Sequence, residues 1–287
     1  MPGQEHVSSA VIKTLTYSDI FDYPLKLEEI TQFLTVAAGK EKIKKALVIL
    51  KKSKMVTRKN NFWSLKNREE TINLRKEREK FAKKKLIKAR KAAKILSFIP
   101  SIQFVGVSGS LACFNAKETD DIDLFIITKA QTVWSTRLLS TLLLDILGKR
   151  RKKSDREFKD KVCLNMFIAE DALEFKEGDL YLAREVVQLK PLYDRGGSYK
   201  ALIQENLWWL RSFLPNFKST QPRSKIIDRR RSLFSIFEPF LRDLQLKYMN
   251  SHTRREVLEK NRIFFHPKDV HRKILDQYER RIANLIS

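Results

Sequence analysis

The chain has 287 residues, 43% of them hydrophobic, with only 8 Gly and 8 Pro. That composition excludes a mainly disordered or collagen-like chain and suits one large folded unit or two to three small ones. Lys and Arg number 58 against 34 Asp and Glu, a net charge of +24, which favours a polyanionic partner such as nucleic acid, nucleotide phosphates or an anionic surface. A plain solubility surface is the bland alternative. Cys113 and Cys163 are far apart and the four His are scattered, so neither a disulfide framework nor zinc spacing is present. The first residues, MPGQEH, hold no apolar signal core. The most apolar helix candidate, 134–147, is short for a membrane span and contains Arg137 and Asp145, so the expectation is a cytoplasmic protein without membrane segments.

Val7, Val11, Ile12 and Leu15 recur at helical spacing and predict a helix ending near Phe21. Asp22-Tyr23-Pro24 is a turn, because the residue before proline avoids the helical region. A second helix is expected over 27–35 and a third over 41–52, the latter with Ile43, Ala46, Leu47 and Leu50 on one face. Met55 to Lys59, then Asn60-Asn61, then Phe62 to Leu65 reads as a hairpin with a two-residue turn. Three helices followed by a hairpin resembles a winged helix, a module that binds nucleic acid in some proteins and other proteins elsewhere. The third helix carries no Asn, Gln or Arg to read base edges.

Residues 68–97 contain no Gly or Pro and predict one long helix, ended by Pro100. Lys83, Lys84, Lys85, Lys88, Arg90, Lys91 and Lys94 make it the densest positive run in the chain. Such a run is either a solvated helix face or an electrostatic funnel for a polyanionic substrate.

The apolar run 102–107 predicts a buried strand, and Ser108-Gly109-Ser110 allows a tight turn after it. Asp121 and Asp123 then precede Leu124-Phe125-Ile126-Ile127, a second buried strand, and lie two apart on extended chain, so both carboxylates project from one face. Asp120 would then point to the opposite face. Two adjacent carboxylates near a Gly-Ser turn suit a divalent cation carrying a triphosphate. Asp-x-Asp alone is commonly a solvent-facing strand start.

Gly109-Ser110, ten residues, then Asp121-Ile122-Asp123 resembles the nucleotidyltransferase superfamily, which includes polymerase-beta-like and small antibiotic-adenylating enzymes. The resemblance covers roughly residues 101–170. It implies that Ser110 and the Gly109 turn hold the phosphates of an NTP, and that Asp121 and Asp123 coordinate Mg²⁺ or Mn²⁺. Active members of that family place a third acid in the middle of the next strand, 162–168. This chain has only Asn165 there, and an amide takes no proton from a hydroxyl. Three readings stay open. Two carboxylates suffice, with the nucleophile activated by substrate or by an outside base; Glu170 or Asp171, just past the strand, swings in; or nucleotide is bound without turnover.

Residues 132–147 form an apolar helix, followed by the basic loop 149–153. From Gly178 on, the chain reads helical: a helix through Leu180, Ala183 and Val187 ending at Pro191, a turn over 193–197, a helix over 201–213, a segment over 233–248 kinked or broken at Pro239, and a last helix over 268–285. Its aromatics read as core, Arg184 and Glu185 as cleft candidates, and Lys225, Arg229, Arg230 and Arg231 as a further basic cluster. The expected fold class is α+β and multi-domain: a winged-helix-like domain (1–66), a basic connector helix (67–98), a small mixed-sheet nucleotidyltransferase core (99–172) and a helical domain (173–287). The resemblance implies a Mg²⁺-dependent transfer of NMP from an NTP to a hydroxyl or phosphate acceptor, RNA among the candidates. The alternative is a nucleic-acid-binding or regulatory protein (RNA or DNA) with an inert nucleotide-binding domain.

Overall fold

The computed structural model describes residues 6–152, 154–218, 233–250, 257–258, 261–264 and 268–286. The chain opens with helices α1 (Val7–Asp19), α2 (Leu27–Phe33) and α3 (Lys40–Lys52), which bury Val11, Leu15, Ile30, Ile43 and Leu47 against one another. Each such side chain contributes about 1.5–3 kcal/mol when fully buried. Strands β1 (Val56–Lys59) and β2 (Phe62–Leu65) pair antiparallel with Lys59 opposite Phe62. Asn60 and Asn61 form the two-residue turn, both at positive φ, as its geometry requires.

Helix α4 (Glu70–Leu96) is continuous. Of the basic run, Lys83, Lys84, Lys88, Arg90, Lys91 and Lys94 are exposed, as a solvated face requires, whereas Lys85 and, ahead of the run, Arg75 and Arg78 are buried. Each of these three meets an acceptor inside. Arg75 donates to both carboxylate oxygens of Glu29 at 2.6 and 2.9 Å, and Arg78 donates to the Phe21 carbonyl at 3.1 Å. Lys85, only 2% exposed, donates to the carbonyls of Glu118 and Asp120 at 2.8 and 2.6 Å and to Asp160 at 3.0 Å. A buried ammonium persists only when so satisfied.

The central sheet is built on β3 (Ile102–Val107), β4 (Ile122–Thr128) and β5 (Val162–Ala169). Between these strands lie α5 (Gly109–Ala112), after β3, and α6 (Val133–Ile146), which makes the parallel crossover from β4 to β5. Next come α7 (Leu180–Gln188), β6 (Lys190–Asp194) and α8 (Ser198–Phe213), then α9 (Glu238–Asn250), β7 (Val257–Leu258), β8 (Arg262–Phe264) and α10 (Lys268–Ile286). The six strands run in the order β6-β3-β4-β5-β8-β7, and only β4 and β5 are parallel. Alternate residues face opposite ways. Val105, Val107, Leu124 and Ile126 pack with α4 and α6, whereas Phe104, Phe125, Ile127 and Ile168 pack with α7 and α8. The second of these layers is continuous with the core of α1–α3.

Two readings of the C-terminal third change, and the one at Pro239 is sharpened. Residues 190–194 are an edge strand rather than a helix end and turn; Pro191, which lacks an N–H, is tolerated at an edge. Residues 257–258 and 262–264 add two further strands. Pro239 marks a break, with a 3₁₀ turn at Leu233–Ile236 ahead of α9. The aromatics divide: Trp209 is buried, whereas Trp208, Phe237 and Phe240 are exposed. Lys225, Arg229, Arg230 and Arg231 lie outside the described residues. Among the described residues no helix is long and apolar enough to cross a membrane.

Candidate functional site

β3 delivers the chain to Ser108, which is buried and extended, and then to Gly109 at φ +61°. That left-handed conformation, rather than lack of space, is why glycine suits the position: a Cβ there would stand 3.6 Å from Asp123 Oδ2, an ordinary contact. The turn continues into α5, and the chain re-enters the sheet at Ile122. Asp121 therefore sits just before β4 and Asp123 within it.

The two carboxylates converge. One ligand atom from each of Asp121, Asp123 and Cys163 lies within 4.8 Å of the others, and all three residues are half-buried. Cys163 is opposite Asp123 in the parallel ladder, and its thiol donates to the Asp123 carboxylate. Burial, and next the charge of Asp121, push the Asp123 pKa from 3.8 up to about 7. The basic loop after α6 contributes one residue to this cluster. Arg151 stacks over the Phe158 ring at 4.2 Å and donates to Asp121 Oδ2 at 2.6 Å.

Asp120 lies ahead of the strand and stands outside the Asp121, Asp123 and Cys163 cluster. Its Oδ2 accepts from the Lys117 N–H at 2.9 Å and from Ser110 Oγ at 3.2 Å, closing the turn ahead of β4. Lys85 holds the same turn from beneath through the Glu118 and Asp120 carbonyls. Ser110, expected to hold phosphate, thus has its hydroxyl turned to Asp120. Gly109 N–H, the other expected phosphate donor, bonds to the Glu185 carboxylate on α7.

Asn165 is 3% exposed, and its Nδ2 stands 3.5 Å from Ser108 Oγ. A register irregularity between Leu124 and Phe125 falls beside Asn165, and Cys163 is the β5 residue opposite Asp123 whose side chain converges with the acid pair. Glu170 and Asp171 are excluded as swing-in acids. Thr128, seven residues from Asp121, pairs with Ala169 at the far end of the parallel strands, some 20 Å away at about 3.3 Å per residue. Glu170 there accepts from the Ala130 N–H.

Ser108 and Asn165 open onto a cleft of about 970 Å³, walled by Tyr181 and Glu185 of α7 and His271 and Arg272 of α10. Asp179 caps α7 by accepting from the Leu182 N–H at 2.7 Å and faces His271 Nδ1 at 3.6 Å. The His271 and Tyr181 rings are 4.2 Å apart. Gly178, just before this cap, lies against the Trp209 ring, which a side chain would strike. Burial raises the pKa of Glu185 against the opposing Gly109 N–H bond. Of the two cleft candidates, Glu185 lines the cleft and Arg184 does not. Arg184 is buried over the Phe33 ring at 3.6 Å and donates to Ser18 Oγ, so it joins α7 to the N-terminal helices.

A second groove, of about 1120 Å³, lies away from the carboxylates between α3, the β1–β2 hairpin and α4. Lys44, Lys51, Lys52, Arg58 and Lys76 line it around Trp63.

Comparison with family models, with curated proteins and with solved structures finds no match to this chain.

Proposed function

We propose that this chain is a nucleotidyltransferase-fold protein that transfers an NMP from an NTP to an acceptor, with Asp121 and Asp123 holding a divalent cation, Mg²⁺ or Mn²⁺. The observation that carries the reading is the Asp123 carboxyl, pushed up to about 7 by burial and by Asp121 while standing beside the Gly109 turn. Among the described residues, the cation paired with these two acids is Arg151, through a bond to Asp121. The two carboxylates fit a hard divalent cation, whereas the Cys163 thiol beside them is a soft donor that such an ion does not need. When bound, such an ion would neutralise phosphate charge and polarise the α-phosphate.

The chain's own residues supply the rest. Ser108 and Asn165 present a hydroxyl and an amide to the cleft, groups that orient substrate by hydrogen bonds without adding charge. Arg151 is partly exposed and is a cation available to phosphate oxygens once Asp121 has another partner. Tyr181 and His271 offer ring faces on the opposite wall.

Incubating the chain with each α-labelled NTP, Mg²⁺ or Mn²⁺ and candidate RNA tests this. Label should transfer, and the double variant Asp121→Ala plus Asp123→Ala should abolish it. Absence of transfer across all NTPs and acceptors, with nucleotide binding intact, refutes the enzyme reading.

The second groove favours an additional reading: the N-terminal helices and hairpin act as a winged-helix-like module on nucleic acid. Its clustered cations and Trp63 suit phosphates and bases. RNA or DNA affinity should then fall steeply with salt and survive the Asp changes; salt-independent affinity counts against it.

A further inference from the structure

If the chain is a transferase, a premise on which the role assigned to Glu185 below depends, a hydroxyl acceptor must lose a proton as it attacks. β5 offers no group for this. Asn165 is neutral, Cys163 is held by Asp123 with its thiol pKa raised by burial, and Glu170 lies at the wrong end of the sheet. The opposite wall of the cleft does offer one. Helix α7 brings Glu185 to Gly109, whose N–H bonds to its carboxylate. The same Gly109 lies against Asp123, with 3.6 Å from its would-be Cβ to Asp123 Oδ2. One glycine therefore lies between the acid pair and Glu185.

Besides the Gly109 N–H, the charges that act on this carboxylate are those of His271 across the cleft and of Arg184. Among the described residues no Lys or Arg forms an ion pair with Glu185, and its neighbour Arg184 turns the other way, to Ser18 and Phe33. The cap at Asp179 and the packing of Trp209 against Gly178 set the start of α7 and so the placement of Glu185. With Ser108 and Asn165, Glu185 lines the cleft.

We propose that Glu185 is the catalytic base, delivered by α7 across the cleft in place of an acid on β5, and that the acceptor is a hydroxyl rather than a phosphate. The acceptor oxygen forms a bond to the α-phosphorus as the bond from that phosphorus to the α,β-bridging oxygen breaks. The bonding pair leaves with pyrophosphate, and the hydroxyl proton passes to the Glu185 carboxylate. A buried carboxylate whose proton affinity is raised suits this transfer near neutral pH. A phosphate acceptor has no proton to give up and would need no such group.

The test measures pyrophosphate release by the full chain with Mn²⁺, each NTP, and RNA oligonucleotides ending in a 3′-hydroxyl or a 3′-phosphate. Glu185→Gln keeps an oxygen for the Gly109 N–H and should preserve the melting curve, the Mn²⁺ affinity and KM for NTP within threefold. Its kcat should fall about 10²–10⁴-fold, the range of general-base catalysis. Formate should partly restore Glu185→Gly, which a merely structural role would not allow. If Glu185→Gln keeps kcat within threefold while Asp123→Asn abolishes release, the base role is overturned and the transferase reading stands. Release that proceeds as well with the 3′-phosphate end as with the 3′-hydroxyl end overturns the hydroxyl assignment. If the wild-type chain binds Mn²⁺ and NTP yet releases no pyrophosphate, the transferase reading fails and the base role falls with it.

Discussion

Asp123 is a group whose ionisation this fold resists, and replacing it with asparagine isolates that cost. The side chain keeps its size and an oxygen for the Cys163 thiol, and loses only its charge. In the folded chain its pKa stands at about 7 against an ordinary 3.8. A difference of roughly three pH units, at about 1.36 kcal/mol each, sets a ceiling of about 4 kcal/mol on the cost of the charge. The residue is half-buried, so solvent screens part of this, and about 2–4 kcal/mol is expected. The sign follows from linkage. Below pH 3.8 the carboxyl is protonated in both folded and unfolded chains and costs nothing. As pH rises towards 7 the unfolded chain ionises freely while the folded chain does not, so the wild type loses stability, and above 7 the loss is constant. Urea denaturation of wild type and Asp123→Asn from pH 4 to 8 should therefore show the variant's advantage grow from near zero to about 2–4 kcal/mol. At pH 8, Mn²⁺ should stabilise the wild type more than the variant. A difference between the two chains that is flat with pH, or a variant less stable at pH 8, would refute the account of an uncompensated acid pair.

Lys85→Met removes the ammonium that ties α4 to the Glu118 and Asp120 carbonyls and to Asp160. Breaking so buried a contact should cost about 3 kcal/mol in urea denaturation, and a cost under about 1 kcal/mol would show that Lys88 alone holds Asp160. Arg151→Ala takes the competing cation off Asp121; Mn²⁺ affinity measured by calorimetry should rise about three- to tenfold, and unchanged affinity would place the ion elsewhere. Asn165→Asp puts a carboxyl near the existing pair, at a position only 3% exposed. It should lower the melting temperature more at pH 8 than at pH 5, by several degrees for a loss of about 3 kcal/mol; equal loss at both would mean that the new carboxyl stays neutral.

Much of the chain's local structure is legible from short-range rules. The hairpin turn at Asn60-Asn61, the unbroken α4, the buried strands either side of Gly109 and the break at Pro239 follow from turn residues that accept positive φ, helix formers without Gly or Pro, and apolar runs of strand length. The same rules bring Asp121 and Asp123 together, because residues two apart on extended chain share a face. The edge strand at Lys190–Asp194 is not legible in this way, since Pro191 signals a helix stop equally well, and only pairing with β3 makes the segment a strand.

Function-bearing contacts are harder to read, because they join residues far apart in sequence. Cys163 faces Asp123 through strand register, and an irregularity in that register falls beside Asn165; no spacing rule reveals either. Lys85 is one more lysine in a basic run until the fold sets two carbonyls and Asp160 around it. Arg184 and Glu185, adjacent in sequence, part on α7 to serve the N-terminal core and the cleft respectively. The sequence by itself determined the elements and the carboxylate pair, since those depend on neighbours a few residues away. The tertiary structure alone decided which charges are buried, which are paired and which acid faces the pair across the cleft, because desolvation and charge partners are properties of the packed chain.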